Sequence, residues 1–393
     1  MELQEAGVLV LDCEHKTPKG KESGFPYIAI PDIVDGRVNL SSARRISSED
    51  LHIWTRRTKP RAGDILVTRR GRVGDTAPIP AEIDCAIGQN LVLLRSDEVL
   101  VSQDYLRWAT RGPMWSSEVD RLMNVGAVFS SLNVRDISRL RIPVPPKQVQ
   151  VHIAAVLGAL DDKIVVNDRI ARTSRELGQA MFAGCLKSST LQMVELAEVT
   201  AAITRGITPK YSDDDDAVVV LNQKCVRDGR VTLDPARKTL PEKIREPKLL
   251  RRDDVLVNST GVGTLGRVAR WTIDMRATTD SHVTIVRFDP AKVDPVCGGF
   301  ALLAAQPDIE ALGEGSTGQT ELSRKRLGEY QIALPSPQAM QQLRPNLDSL
   351  EAKVQEAMEQ SKTLAELRDA LLPKLMSGQI RIRDAEKVVE EAV

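Results

Sequence analysis

The chain has 393 residues, of which 42% are hydrophobic and 27% are charged, and its 54 lysines and arginines equal its 54 aspartates and glutamates in number. This length suits two domains with connecting segments, and the composition argues against a disordered chain and against a membrane protein. A formal net charge of zero argues against a protein that binds nucleic acid through charge alone, because phosphate contacts usually leave a basic footprint.

The start of the chain, Met1–Glu5, lacks the basic-then-apolar order of a secretory signal. No apolar run is long enough to cross a bilayer, so we expect a cytoplasmic protein. The five cysteines, at positions 13, 85, 185, 225 and 297, are scattered and include no Cys-x-x-Cys pair. We therefore expect neither disulfide bonds nor a zinc site.

The chain repeats itself at a spacing close to 190 residues. Gly63–Val67 (GDILV) recurs as Asp253–Val257 (DDVLV) at this shift, and a shift of 192 relates Leu93–Arg95 to Ile285–Arg287, so a small insertion lies between them. Further pairs in the same order are Thr17–Lys19 with Thr208–Lys210, Asp35–Val38 with Asp228–Val231, Gly71 with Gly261, Leu132 with Leu322, and Pro145 with Pro335. One such match could arise by chance, but this series indicates two copies of a lobe of about 145 residues.

Each copy should be a mixed lobe with more sheet than helix. Short β-branched runs broken by Gly, Pro and Asp are typical of strands. Examples are Val218–Leu221, Val255–Val257 and Val283–Val286.

A long amphipathic helix is expected after each lobe. After Pro143–Pro146, apolar residues fall at helical spacing, namely Ile153, Leu157, Leu160, Ile164, Ile170, Leu177 and Met181. After Pro335–Pro337, a second series advances in steps of three and four and skips Arg368. Its members are Leu347, Leu350, Val354, Ala357, Ser361, Leu364, Leu371 and Leu375. Such seams form coiled coils, so the helices should pair with each other, each roughly 40 Å long. Asn167, near the first seam, is either exposed, the commoner case, or a buried amide that fixes the register.

Gly261–Gly266 satisfies G-x-G-x-x-G after a strand, the spacing with which a dinucleotide-binding loop holds a pyrophosphate. That motif needs a following helix, whereas Val268–Ile273 has an extended pattern and Gly71–Gly74 in the other copy lacks the spacing. We therefore favour a hairpin bounded by glycines.

The other groups that could carry chemistry are weak. Asp234 with Glu246-Pro247-Lys248 resembles an Asp…Glu-x-Lys metal-nuclease pattern, but it has a proline between the ligands and no counterpart in the first copy. The Asp213–Asp216 run is typical of a solvated turn, and the histidines at 15, 52, 152 and 282 show no ligand spacing. We expect no catalytic, metal or cofactor site in this chain, so any chemistry belongs to partners.

The duplicated lobe, the paired strand motifs and the proline-rich entries into long helices together resemble the specificity subunit of type I restriction-modification enzymes. The most specific match is Leu364–Ile380 (LAELRDALLPKLMSGQI), which is similar to the C-terminal signature of that family. The resemblance covers nearly the whole chain. One departure is the N-terminus, which lacks the short lead-in that the second copy has at Met193–Val199.

This resemblance implies an α+β fold with two repeated mixed α/β target-recognition domains, separated by two long antiparallel helices that form a coiled coil. The expected boundaries are 1–145 for the first recognition domain, 146–188 for the first spacer helix, 189–335 for the second recognition domain, 336–380 for the second spacer helix and 381–393 for a C-terminal tail.

The family also implies a function in phage defence. Each lobe would read one half of a bipartite double-stranded DNA target, while the helices set the half-site spacing and dock two methyltransferase subunits. Restriction and translocase subunits would join that core, and the partners rather than this chain would use S-adenosylmethionine, ATP and Mg²⁺. A spacer of roughly 40 Å is close to one turn of DNA, about 34 Å.

Base discrimination needs Arg, Lys, Asn, Gln, Ser or Thr on fixed loops. Candidates in the first lobe are Arg69, Arg70, Arg72, Gln89, Asn90, Ser130, Ser131 and Asn133, with Lys16, Lys19 and Lys21 as phosphate contacts. Candidates in the second lobe are Lys210, Asn222, Gln223, Lys224, Ser259, Thr260, Thr264, Arg267, Ser281, His282, Gln319 and Thr320.

Two other interpretations remain open. A protein-interaction scaffold with duplicated lobes would suit the zero net charge, and two basic clefts would argue against it. A nuclease that uses the Asp234–Lys248 segment would cleave DNA by itself in the presence of a metal ion.

Overall fold

The computed structural model describes residues 1–41, 43–126, 130–313 and 321–392, and of Lys243 the backbone alone. The chain forms two compact units. Unit 1 comprises Met1–Asp168 and Glu359–Val393, and unit 2 comprises Arg169–Met358. Among the described helices, none has the length and apolar character that crossing a membrane would require.

The first lobe, in unit 1, consists of short strands and short helices. Its strands are β1 (Val8–Asp12), β2 (Phe25–Ile28), β3 (Ile33–Val34), β4 (Arg37–Val38), β5 (Arg44–Ile46), β6 (Ile65–Thr68), β7 (Thr76–Pro78), β8 (Ala86–Ile87), β9 (Leu91–Ser96), β10 (Asn124–Val125) and β11 (Ser130–Ser131). Its helices are α1 (Ser48–Trp54), α2 (Gln103–Ala109), α3 (Pro113–Leu122) and α4 (Val134–Ile137).

The main sheet of this lobe is antiparallel with strand order β1-β9-β6-β7, and a smaller sheet has the order β5-β2-β8. Side chains alternate between the two faces of β6, as the pleat requires. Ile65 and Val67 pack into a core with α2, whereas Leu66 joins a second core with Ile28 and Ile87 of the smaller sheet. Because both faces are covered, β6 is buried along its whole length, which explains its continuous apolar run.

The second lobe, in unit 2, follows the long helix α5 (Lys147–Ser188). Its strands are β12 (Leu191–Glu195), β13 (Thr200–Arg205), β14 (Val218–Leu221), β15 (Val226–Arg227), β16 (Arg230–Val231), β17 (Arg237–Thr239), β18 (Val255–Asn258), β19 (Val268–Arg270), β20 (Ala277–Thr279), β21 (Val283–Phe288) and β22 (Gln331–Pro335). Its helices are α6 (Leu196–Val199), α7 (Pro295–Ala304), α8 (Gln306–Ala311) and α9 (Arg324–Glu329).

The two lobes share one topology, as the repeat predicts. The second lobe has sheets of order β13-β21-β18-β19 and β17-β14-β20, which correspond strand by strand to those of the first. The repeated Asp-Gly pairs also match, since Asp35-Gly36 and Asp228-Gly229 form two-residue hairpin turns with positive φ at both positions. The repeat is therefore structural.

Matching backbone hydrogen bonds locate the insertion in the second copy. The Gly74 amide donates to Thr68, and the Gly266 amide donates to Asn258. The loop after β18 is thus two residues longer than the loop after β6, which accounts for the change of shift from 190 to 192.

The first lobe does have a lead-in, so the expected departure at the N-terminus is wrong. Glu2 forms an antiparallel bridge with Arg141, and the Leu3 amide donates to the Leu140 carbonyl at 2.9 Å. In the second lobe β12 pairs with β22 in the same manner. In the first lobe the lead-in is a single β-bridge rather than a strand, which is why the sequence pattern does not reveal it.

The second long helix is α10 (Pro337–Ser377), and α11 (Ile382–Glu390) follows it. The segment that was expected to be a tail is therefore helical, and its Ala385 and Val389 are buried in the unit 1 core. Since α5 and α10 have 42 and 41 residues, each is roughly 60 Å long. The estimate of 40 Å was too short because both helices extend beyond their apolar seams.

The two long helices pair antiparallel within each unit. In unit 1, Asp161 contacts Arg368, and further along α5 Asn167 contacts Gln360. Residue numbers therefore decrease along α10 as they increase along α5, so the two helices are antiparallel. In unit 2, Ala171 packs against Val354 and Ala357. Two predicted seam residues lie outside this pairing, because Ile170 and Leu177 are 42% and 48% exposed. The spacing of the first series therefore mixes buried and exposed positions.

Asn167 and Arg368 show how polar groups enter the seam. Asn167 is buried, and its amide donates to the Gln360 side chain at 2.9 Å, so the less common alternative for this residue holds. Arg368, which the apolar series passes over, is also buried and donates to Asp161 at 2.6 Å. A buried pair of this kind specifies one register of the two helices.

Asp161 is the centre of a larger charge cluster in unit 1. Its carboxylate is 1% exposed and accepts hydrogen bonds from Arg37 on β4, Arg107 on α2 and Arg368 on α10. Burial alone would raise the pKa of Asp161, but the three guanidinium groups outweigh burial and hold that pKa below its ordinary value.

Replacing Asp161 with Asn should therefore destabilise unit 1 by about 3–5 kcal/mol, because the buried Arg368 and the half-buried Arg37 and Arg107 lose their counter-charge. The contribution of Asp161 in the wild-type chain should be present above its ordinary pKa of 3.8 and be lost as the pH falls through the lower folded value. Urea unfolding at several pH values measures both effects.

The control is Asp168→Asn. Asp168 is 67% exposed and lies 3.5 Å from Arg37, so its loss should cost less than about 1 kcal/mol. Equal losses for the two variants would contradict a special contribution from Asp161.

Candidate nucleic-acid interface

The polar loops predicted in the first lobe lie together. The Arg69 amide donates to the Asn90 carbonyl, and the Leu132 amide donates to the Arg69 carbonyl, both at 2.9 Å. Arg70 forms an antiparallel bridge with Ser131. We call residues 69–72, 89–90 and 130–133 the first loop cluster.

The second lobe has a cluster built by the same backbone bonds. The Ser259 amide donates to the His282 carbonyl, and the Leu322 amide donates to the Ser259 carbonyl, again at 2.9 Å. Thr260 forms an antiparallel bridge with Glu321. We call residues 259–264, 281–282 and 321–322 the second loop cluster. The backbone therefore places the same three segments side by side in both lobes.

Side chains of the first loop cluster divide into free and committed groups. Arg70 and Gln89 are exposed. The Arg69 Nε donates to the Leu132 carbonyl at 3.2 Å, and Arg72 donates to the carbonyls of Ile30 and Ile33. Arg72 thus holds the loop against the segment that leads from β2 into β3, and it has few donors left for a base.

The remaining predicted residues of this cluster are accessible in part. Asn90, Ser130, Ser131 and Asn133 are half-buried. Asn133 also donates to the Asp136 carboxylate at 2.9 Å, which fixes its amide at the start of α4.

In the second loop cluster, Thr260 and His282 form a pair, since the Thr260 hydroxyl and His282 Nδ1 are 2.8 Å apart. His282 is exposed. Thr264 and Arg267 fold back onto the hairpin, where the Arg267 guanidinium donates to the Gly263 carbonyl at 2.7 Å. The adjacent Asp280 is buried, which raises the pKa of its carboxyl, although the His282 amide donates to it.

Ser259 is a correction to the predicted set. Its side chain is fully buried, and its hydroxyl shares a hydrogen bond with Thr284 inside the sheet. It cannot reach an external ligand without unfolding the strand end. Gln319 and Thr320, which were also predicted, lie outside the described residues.

A turn after β14 borders the second loop cluster. The Gln223 carbonyl accepts from Asn258 at 2.9 Å, and the Gln223 side chain lies 3.5 Å from the Thr260 hydroxyl. Asn222 caps this turn through the Lys224 amide, and the Lys224 side chain is exposed. These three predicted residues therefore extend the second loop cluster.

The three lysines predicted as phosphate contacts in the first lobe, and Lys210, which was predicted as a base contact in the second, lie outside the two loop clusters. Lys16, Lys19, Lys21 and Lys210 are all exposed. Lys21 bridges to Arg45 beside β5, and the Lys210 carbonyl accepts from Thr239 of β17. They lie at corresponding edges of the two smaller sheets.

One group in the described residues has a metal-ligand set that the sequence did not indicate: Asp12, Cys13 and His15, whose ligand atoms lie within 4.8 Å of one another. These side chains already have partners, because His15 contacts Asp12 at 2.9 Å and the Gln89 carbonyl at 3.3 Å, and the Cys13 thiol donates to Gly88. Burial and Asp12 raise the pKa of Cys13 to about 11, which disfavours the thiolate that a metal needs. The arrangement fits the support of the Gly88–Asn90 loop better than a metal site.

The structure also resolves the weaker motifs. Gly261–Gly266 connects β18 to β19, an antiparallel hairpin, as favoured from the sequence. The Lys248 ammonium donates to the Thr204 hydroxyl and the Arg205 carbonyl. Within the described chain, neither Asp234 nor Glu246 belongs to a group of three metal-ligating side chains, and Asp213–Asp216 are exposed.

Sequence reasoning missed a set of cations beside the second loop cluster. Arg205 donates to the carbonyls of Ser281 and Leu322, and Arg324 and Lys325 begin α9. The only available signal was the position of Arg205 three residues before Thr208, where the repeated Thr-Pro-Lys segment begins, and the pairing of strands was needed to interpret it.

Comparison with known proteins gives consistent results. Residues 13–172 match the family model described as type I restriction modification DNA specificity domain. The MjaX type I restriction enzyme specificity subunit of Methanocaldococcus jannaschii is 20% identical over 390 residues, which is 92% of this chain and 88% of that protein. The EcoBI type I restriction enzyme specificity subunit of Escherichia coli is 28% identical over 168 residues, which is 41% of this chain and 35% of that protein.

A solved structure shares the fold. The S subunit of a type I restriction-modification system from M. genitalium superimposes with a TM-score of 0.54 at 16% identity, covering 95% of each chain.

Proposed function

We infer from the matched specificity domain and the similar specificity subunits that this chain is a specificity subunit of a type I restriction-modification system, and we propose that each of its lobes reads one half of a bipartite DNA target. The two loop clusters would face base edges, and the lysines at the edges of the smaller sheets would contact phosphates. The chain itself is a non-catalytic DNA-recognition subunit.

The observation that carries this proposal is the pair of loop clusters. The same backbone hydrogen bonds hold three loop segments in both lobes, while the side chains at matched positions differ. Arg70 corresponds to Thr260, and Gln89 corresponds to Ser281. One backbone frame with different donors and acceptors is what two unlike half-sites require.

The other two interpretations are not favoured. A protein-interaction scaffold does not account for the family membership. The proposed nuclease lysine, Lys248, is bound to Thr204 and Arg205 rather than to carboxylates. We therefore assign DNA cleavage and methylation to partner subunits, which would use S-adenosylmethionine, ATP and Mg²⁺.

The long helices offer surfaces for those partners. Val165 and Val166 of α5 in unit 1 are 52% and 49% exposed, and Ile170 and Leu177 in unit 2 are exposed to a similar degree. Apolar side chains on the outside of a helix pair mark contact sites for other proteins. We propose that two methyltransferase subunits dock on α5 and α10, that restriction and translocase subunits join them, and that the complex acts in the cytoplasm.

The half-site assignment predicts separate effects in the two lobes. Arg70→Ala removes an exposed donor pair, so it should weaken discrimination at one position of one half-site by about 1–3 kcal/mol. Methylation of DNA libraries randomised in both halves, by the complete complex, measures this effect. Thr260→Ala, at the matched position, should alter only the other half, and a loss spread over both halves in either variant would contradict the assignment.

The spacer assignment predicts a length effect. Because α5 and α10 pair antiparallel in each unit, a matched insertion of one heptad into both helices should preserve the pairing and lengthen each helix by about 10 Å. The preferred gap between half-sites should grow by up to about three base pairs, at about 3.4 Å each. Methylation of a library with variable gaps measures the preference, and an unchanged preferred gap would refute the proposal that helix length sets the half-site spacing.

The docking surface predicts a loss of assembly. Leu177→Asp places a charge on an exposed apolar position and should weaken binding of the methyltransferase subunit by more than about tenfold. Gln179→Asp is the control, since Gln179 is also exposed but lies on the other side of the buried seam. Titration of one purified subunit into the other measures the affinity, and equal affinities for both variants would contradict docking at Leu177.

A further inference from the structure

The two lobes carry opposite charges at one matched position of the main sheet. Asp12 ends β1 opposite Val92, and Arg205 ends β13 opposite Thr284. Val92 and Thr284 are themselves equivalent, because they contact Val67 and Val257 of the repeated central strands. A carboxylate in the first lobe therefore stands where the second lobe has a guanidinium.

Arg205 borders an open cleft in unit 2. The cleft has a volume of about 910 Å³, and its lining includes Arg205, Arg324, Lys325, Ser281 and Ser323. The Arg205 guanidinium donates to Ser281 at 3.1 Å and to Leu322 at 2.8 Å. Since both residues belong to the second loop cluster, the cleft lies directly beside it.

Cations are concentrated around this cleft. The Lys248 ammonium is held by Thr204 and the Arg205 carbonyl. Burial, together with the nearby charges of Arg324 and Arg245, lowers the pKa of Lys248. Like charges packed so closely repel one another, and an anion in the cleft would relieve that repulsion.

The carboxylates of the cleft pair with two of its three lining cations. Glu321 pairs with Arg205 at 2.8 Å, and Glu329 lies 3.7 Å from Lys325. Among the described residues, Arg324 makes no ion pair and is exposed. The Ser281 and Ser323 side chains add hydroxyl donors to the lining, a mixture that suits phosphate oxygens.

Among the described residues, the first lobe has only one cation at the three positions matched to Arg205, Arg324 and Lys325. Asp12 is bound by His15, and Arg57 lies 3.9 Å from the same carboxylate. Arg324 and Lys325 correspond to Val134 and Arg135. The second lobe therefore has cations at all three matched positions, whereas the first lobe has a cation only at Arg135.

We propose that the cleft bordered by Arg205, Arg324 and Lys325 binds the DNA phosphate backbone beside the second half-site, and that the matched place in the first lobe, which has one of the three cations, does not. The inference rests on the proposed function, because it takes the second loop cluster as the base-reading element. Phosphates flank the bases that such loops contact, so cations next to the loops meet the backbone. The cleft then adds a salt-dependent contribution beside the second loop cluster, separate from that of the lysines at the edges of the smaller sheets.

The test uses the assembled complex of this chain with its methyltransferase subunits and a fluorescent duplex that contains the methylated target. Binding is measured over a series of KCl concentrations for the wild type and for the double variant Arg324→Gln/Lys325→Gln. Each lost phosphate contact should reduce the slope of log K against log salt by about 0.9, so the double variant should lose about 1.8. Target and non-target duplexes should be weakened equally, because phosphate contacts carry no sequence information.

The control is Arg135→Gln/Arg139→Gln, which removes two exposed cations from the first lobe and should leave the slope unchanged. A wild-type slope for the Arg324/Lys325 variant would overturn the proposed phosphate binding at the cleft. An equal fall of the slope in the control would overturn the proposed difference between the lobes. If the wild-type complex shows no preference for the target duplex, the proposed function itself fails, and that result is separate from either slope. Thermal unfolding of both variants checks that the substitutions leave the fold intact.

Discussion

The buried carboxylate of Asp161 connects more parts of unit 1 than any single apolar contact described here. It lies on α5 and accepts hydrogen bonds from a β-hairpin, from a helix of the lobe and from α10 through Arg37, Arg107 and Arg368. A charge removed from water is tolerated only when its partners are fixed in place. The orientation of α5 against both the lobe and α10 is therefore specified by direction-dependent bonds as well as by apolar packing, which alone permits sliding.

The corresponding position in unit 2 supports the same constraint. Glu351 follows Asp161 by 190 residues, and it lies 3.4 Å from the buried Arg270 of β19. The partners differ, yet in both copies a helix carboxylate contacts an arginine of the lobe that precedes its helix. A second repeated pair works inside each lobe, where Asp64 binds Arg95 and Asp254 binds Arg287 through two hydrogen bonds each. The frame is thus duplicated down to its ion pairs, while the loops it supports are free to diverge.

The sequence predicted the features that depend on local pattern. Strands such as β6 and β18, the Asp-Gly turns and the paired helices follow from periodicity and turn chemistry within a few residues. Features decided by contacts between distant segments were not predictable. The apolar series skipped Arg368, and only the structure shows that this residue is buried and paired with Asp161, which also binds Arg37 and Arg107. Ser259 looked like a loop residue, although the neighbouring strand covers it, and Ile170 and Leu177 satisfied the helical period on a face that the partner helix does not cover. The segments of both loop clusters were identified from the repeat, but which of their side chains are free required the structure.

The zero net charge, which argued against DNA binding, is explained by the use of arginine in this fold. One buried carboxylate, Asp161, forms ion pairs with Arg37, Arg107 and Arg368. Other carboxylates pair with Arg95, Arg270 and Arg287, and Arg72 donates to backbone carbonyls. These arginines have partners within the protein, so the total charge does not show which cations a ligand would meet. What matters for a polyanion is the charge left beside the loop clusters, and there the two lobes differ, with Asp12 in one and Arg205 in the other. Total charge therefore measures the internal ion pairs of this protein more than its affinity for nucleic acid, because local fields rather than sums govern the approach of DNA.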